Sequence, residues 1–156
     1  YNYLRFGSFM EVGYNYNDYF GKNSLNLLGL KYLIKNFYYL FFSSPKILTS
    51  FPYLDLNFNG ISIFITSPVI IYIFFKTKKS QLKKICWLAI LALLPFILIF
   101  GGTGYLQIGY RYSLDFMPFL LILLILYFKN KFTIFAKSLI LIGAFLNIYF
   151  IIASFK

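Results

Sequence analysis

The stretch GYRYSLDFMPFLLILLILYF, residues 109–128, decides how the chain is read. From Met117 onward it is almost wholly apolar, yet it opens with Arg111 and Asp115, two of the few charges outside the lysine clusters. A continuous apolar run of about 17–25 residues is long enough to cross a bilayer as a helix. A charge inside lipid is costly, and the cost falls toward the helix ends. The stretch therefore reads as a membrane helix with an ion pair at its mouth. On an α-helix Arg111 and Asp115, four residues apart, face the same way.

The rest of the composition agrees with a membrane. The 156 residues are 60% hydrophobic and only 12% charged, against about 25% charged in ordinary soluble domains. Three further apolar runs stand beside the first. The sequence predicts four spans at 60–75, 82–100, 112–128 and 132–155, with Pro68, Pro95 and Pro118 as kinks. Lys137 and Asn147 are the polar marks of the last one. The expected architecture is an all-α membrane protein: four transmembrane helices in residues 60–156, after a segment 1–59 that carries one interfacial helix.

That interfacial helix is expected over 24–42, with Ser24 as N-cap and Pro45 just past its end. At a 100° step Leu27, Leu30, Leu33, Ile34, Phe37, Leu40 and Phe41 share one broad face, and Lys31, Tyr32, Lys35, Asn36 and Tyr39 the other. An apolar face backed by lysine and tyrosine suits a helix lying flat at the membrane surface. Ahead of it, residues 1–22 show no clean period and are rich in Tyr and Asn, as expected at headgroup level. Residues 43–59 read as a loop, since Pro52, Asp55, Asn57, Asn59 and Gly60 are turn formers.

The formal charge of +11 is a statement about topology rather than about nucleic acid. Eight of the fifteen basic residues fall in two stretches beside the spans, Lys76, Lys78, Lys79, Lys83 and Lys84, then Lys129, Lys131 and Lys137. Basic inter-span loops stay on the cytoplasmic side. Residues 1–59, the loop 101–111 and the C-terminus are then expected outside a bacterial plasma membrane. No nucleic-acid partner is expected.

Several chemistries are excluded within these residues. The chain has no histidine, so it holds no Ser-His-Asp triad and no His-ligated zinc. A single cysteine, Cys86, permits no internal disulfide. The four acids Glu11, Asp18, Asp55 and Asp115 are scattered, so no metal or other cofactor is indicated. GGTG at 101–104 matches no phosphate-binding loop and follows an apolar run rather than a strand. The residues left as a candidate site are Arg111 with Asp115, the flanking Tyr110 and Tyr112, and Arg5. Arginine suits phosphate because its planar fork donates two parallel hydrogen bonds. From the residues alone the pair reads first as a clamp that pins a helix end.

Taken in order, NYLRFGSFMEVGYN, NLLGLKYLIKNFYYLF, FPYLDLNFNGISIFITSP and GYLQIGYRYSLDFMPFLLILL resemble the C-terminal half of bacterial GT-C glycosyltransferases. These are multi-pass membrane proteins related to the protein O-mannosyltransferases and aminoarabinose transferases. The likeness runs from about Tyr3 to the end, and its specific part is GYRYSLDFMPF. It implies sugar transfer from a polyprenyl-phosphate donor on the extracytoplasmic face. It also implies that Arg111 meets the donor phosphate, oriented by Asp115. The general base, with any divalent metal, is implied in an N-terminal transmembrane part that precedes these residues, so the chain alone would be inactive. It starts at Tyr1, mid-pattern and without Met, which fits such a portion. The alternatives are a transporter subunit, which would carry polar or broken helices at mid-membrane, and a non-catalytic membrane scaffold.

Overall fold

The computed structural model describes residues 1–7, 9, 28–57, 59–75, 77, 80–102, 107–129 and 131–154. Ser24, Glu11, Asp18, most of 1–22, Lys76, Lys78, Lys79, the GGTG residues 103 and 104, and the end of the last expected span lie outside these. The chain is mostly helical. Its elements are α1 (Asn2–Phe6), α2 (Leu33–Phe41) entered through a 3-10 turn (Leu30–Tyr32), and strands β1 (Lys46–Ile47) and β2 (Leu54–Asp55). Next come α3 (Ile63–Thr66), a 3-10 helix (Pro68–Phe74), α4 (Gln81–Ile99), a second 3-10 helix (Arg111–Asp115), α5 (Met117–Phe128) and α6 (Ile134–Ser154).

Two helices, α4 and α6, are long and apolar enough to cross a membrane. They match the expected spans 82–100 and 132–155. Each starts on a side-chain cap: the Ser80 hydroxyl accepts the Lys83 N–H at 3.1 Å, and the Thr133 hydroxyl accepts the Ala136 N–H at 3.2 Å. The other two expected spans are not single helices. Residues 60–75 break at Ser67, which is forced out of helical geometry (φ −141, ψ 69) by the Pro68 that follows it. Sequence reading expected a kink there; the structure has a four-residue α-helix, then a 3-10 helix. In 112–128, Pro118 sits in the first turn of α5, where its missing N–H costs nothing, and α5 has only twelve residues.

Smaller expectations are corrected as well. Residues 2–6 of the segment read as irregular form a turn of helix, closed by Gly7 in the left-handed region. The helix expected from 24 begins at Leu30, because Leu28 and Gly29 are extended and pair with the end of α4. The loop 43–59 contains a small antiparallel hairpin, Lys46 opposite Asp55 and Ile47 opposite Leu54, so the fold is not purely α.

The core lies where α4, α5 and the 3-10 helix 68–74 meet, around buried Ile70, Tyr72, Ile73, Cys86, Ile90, Leu120, Leu123, Leu124 and Phe128. On its outer side α6 packs against the broken segment. Asn147 donates to Thr66 O at 2.9 Å, and a Cβ on Gly143 would stand 3.0 Å from Pro68 Cδ and 3.1 Å from Thr66 O. Glycine lets the two backbones touch just where the 60–75 segment has lost its helical bonds.

These contacts give the molecule two ends. At one, Tyr72 meets Tyr127, Phe128 and Thr133, and Phe74 meets Trp87, which gathers Lys83, Lys84, Lys129, Lys131 and Lys137. At the other, α2, the hairpin, residues 57–62 and 107–113 collect around the C-terminal end of α4.

Candidate functional site

The loop end is built on a problem that every helix leaves behind: the last carbonyls of α4 have no partner within the helix. Two segments supply them. The Gly29 N–H donates to Ile99 O at 2.8 Å. The buried Asn36 amide donates to Leu98 O at 2.9 Å and Phe100 O at 2.7 Å, with Ile97 O at 3.4 Å. Asn36 was expected on the solvent-facing side of the amphipathic helix; instead it is in the packed stripe, with Leu40 and, half-buried, Tyr32 and Tyr39. The consequence is that most of the apolar face of α2 stays uncovered by protein. Leu30 and Ile34 are each 79% exposed, and Leu33 and Phe37 are exposed too.

Residues 57–62 are then stitched between α2 and the loop before α5. Ser43 Oγ donates to Gly60 O at 2.9 Å and accepts from Asn57 Nδ2 at 3.3 Å. Ser62 Oγ donates to Phe41 O at 2.7 Å and caps α3 by accepting the Phe64 N–H at 3.2 Å. Asn59 Nδ2 donates to Tyr39 OH at 3.1 Å. Gln107 bridges onward, donating to Asn59 O and accepting the Arg111 N–H, both at 3.1 Å. Gly60 sits at φ +97, and a Cβ there would stand 3.0 Å from Gln107 Nε2 and 3.2 Å from Gly109 O, so only glycine fits this junction.

On this frame the sequence-predicted residues take different places. Arg111 and Asp115 open and close the 3-10 helix, and both are exposed. At three residues per turn, positions four apart point about 120° from each other. The two side chains therefore do not share a face, and neither makes an ion pair among the described residues. Tyr110 and Tyr112 are brought together, rings 5.9 Å apart edge to face, and Tyr112 also meets Phe100 at 5.1 Å. Tyr110 is 1% exposed, and its hydroxyl has no hydrogen-bond partner among the described residues. Burial, with a further contribution from Tyr112, pushes its phenol well above the usual tyrosine range. Arg5 is engaged within its own segment, donating to Tyr1 OH at 2.9 Å with its guanidinium 5.1 Å from the Phe6 ring centre.

Comparison with family models, with curated proteins and with solved structures yields no match.

Among the described residues the arrangement offers an exposed guanidinium and no paired carboxylates. Arg111 projects from a backbone pinned by Gln107, beside a tyrosine pair. Asp55 spends one carboxylate oxygen on the Leu56 N–H at 2.8 Å, and no group of three or more His, Cys, Asp or Glu gathers among the described residues. Sequence reading missed Asn36, Ser43, Ser62 and Gln107, which position the site. Their only signal was polarity in an apolar chain, and that does not name a partner.

Proposed function

We propose that the chain is embedded in a membrane and that its loop end contacts the phosphate of a lipid-linked sugar through Arg111, as part of a glycosyltransferase. The observation that carries this reading is Arg111 itself: an exposed arginine with no counter-ion among the described residues, its backbone held by the Gln107 side chain. An arginine fork that no described carboxylate occupies is suited to an external phosphate.

Membrane embedding is supported by what protein leaves uncovered. Only 22% of the span window in α4 and 17% of that in α6 is buried, whereas the core helix of a soluble protein is mostly buried. Past the first turns, which carry exposed Lys84, Lys137 and Ser138, the uncovered positions are apolar, among them Leu88, Leu91, Phe96, Leu141, Phe145 and Ile152. The 3-10 helix 111–115 and α5 together rise about 28 Å, close to the hydrocarbon thickness of about 30 Å. The broken segment 61–75 is sheltered by α6, the condition under which non-helical backbone is tolerated in a bilayer. The apolar face of α2 would then lie in the interface on the outer side, with residues 28–59 and the loop before Arg111, and the lysine end in the cytoplasm. The general base and any metal belong to an N-terminal part of the parent enzyme. The break at Ser67 is the one feature shared with a transporter, but its polar atoms are engaged by Asn147 and Ser62 rather than left for a substrate.

The test uses membranes carrying the parent protein and a polyprenyl-phosphate sugar donor. Arg111→Ala is expected to lower transfer at least tenfold and Arg111→Lys less, with membrane insertion intact and Asp115→Asn close to wild type. Full transfer by Arg111→Ala would return the residue to a structural role.

A further inference from the structure

The lysine end carries a second feature that the reading above does not use. Ser80, Lys83, Lys84, Trp87, Leu88 and Leu91 line one open groove of 480 Å³. Their spacing of three and four puts them on a single stripe of α4. The stripe is graded, with a hydroxyl and two ammonium groups first, then an indole, then two leucines. From Ser80 to Leu91 the helix rises about 16 Å, close to the depth of one leaflet, about half of a 30 Å core.

The polar end of the groove has donors that meet no acceptor among the described residues. Lys83 gives one hydrogen to Thr77 Oγ1 at 2.7 Å, and its other two meet no acceptor among the described residues. Lys84 is exposed. The Trp87 ring packs 6.0 Å from Phe74, and its N–H donates to no atom among the described residues. Among the described residues the charge at this end has no internal balance. The described acids, Asp55 in β2 and Asp115 in the 3-10 helix, are both at the loop end, whereas Lys129, Lys131 and Lys137 add to the lysines here. Cations gathered at the head of an apolar groove of leaflet depth match a molecule with an anionic head and a hydrocarbon tail.

We infer that this groove binds one anionic phospholipid. Its phosphate meets Lys83 and Lys84, its glycerol ester lies within reach of the Trp87 N–H, and one acyl chain runs along Leu88 and Leu91. The inference rests on the membrane embedding proposed above, but not on Arg111 or on sugar transfer.

The experiment is native mass spectrometry of the detergent-solubilised protein, titrated with phosphatidylglycerol and phosphatidylcholine of identical chains. Wild type is expected to bind the first roughly tenfold or more tightly. K83Q/K84Q should abolish that preference, K129Q/K131Q should keep it, and Leu88→Trp should weaken both lipids by filling the groove. Equal binding by wild type would overturn the inference, and so would a preference that survives K83Q/K84Q or that K129Q/K131Q removes equally. Carbonate extraction of the source membranes separates the two readings. A chain washed out by carbonate is not embedded, and both fall; an embedded chain without the preference removes the groove alone.

Discussion

Replacing Asn36 by leucine tests the central device of the loop end. Leucine keeps the branched four-atom shape but is bulkier, so the change opens no cavity, and any overpacking adds to the loss of polar contacts. The amide has two hydrogens, and the two short contacts, 2.9 Å to Leu98 O and 2.7 Å to Phe100 O, account for them; Ile97 O at 3.4 Å shares one at best. Each hydrogen bond contributes about 1 kcal/mol net, and a buried carbonyl left without a donor costs about 1–3 kcal/mol. Water reaching the half-buried Phe100 carbonyl lowers its share, so the expected loss is about 2–4 kcal/mol. Asn36→Asp should cost more, because a carboxylate oxygen then faces the carbonyl oxygens. The assay is reversible unfolding in mixed micelles, followed by helical circular dichroism. The same unfolding isotherm for Asn36→Leu and wild type, within about 0.5 kcal/mol, would refute the view that α2 is held by capping α4.

Two further outcomes follow from single contacts. Gly143→Ala pushes a methyl to within 3.0 Å of Pro68 Cδ and 3.1 Å of Thr66 O, so it should cost about 1–3 kcal/mol in the same assay. Gly143→Leu should also part Asn147 from Thr66, and wild-type stability of that variant would mean α6 does not pack there. Tyr110→Phe removes a hydroxyl that has no partner among the described residues, so it should match or exceed wild-type stability by up to about 1–2 kcal/mol; a clear loss would reveal a partner. The phenol of Tyr110 is raised in the folded state, so the folded protein holds that proton longer than the unfolded chain does. Its contribution is complete below the unfolded value near pH 10 and falls as the pH rises above it. Wild type should therefore lose more stability than Tyr110→Phe between pH 9.5 and the alkaline limit of the assay, and parallel curves would contradict the shift.

Part of this was legible in residues alone, for a physical reason. Apolar runs and caps act locally, so α4 and α6 fall within about two residues of the spans expected at 82–100 and 132–155. The clustering of lysines around the 76–84 and 129–137 connections is equally a property of order along the chain. The broken and shortened spans were only half legible. Pro68 and Pro118 are visible, but whether a proline bends a helix, ends it or starts it depends on what shelters the freed backbone. At Pro68 that shelter is Gly143 and Asn147, some eighty residues away.

The candidate site shows the same division. That Arg111 is an arginine at the mouth of an apolar segment is fixed by sequence. That it stands apart from Asp115 is not, because spacing becomes direction only once the helix type is known, and 3-10 geometry turns a shared face into two. Likewise the amphipathic pattern of α2 announced an apolar and a polar face. It could not announce that Asn36, on the polar one, would turn inward. Which carbonyls lie open at the end of α4 is settled only when the chain has folded, and the residue that closes them sits some sixty positions away.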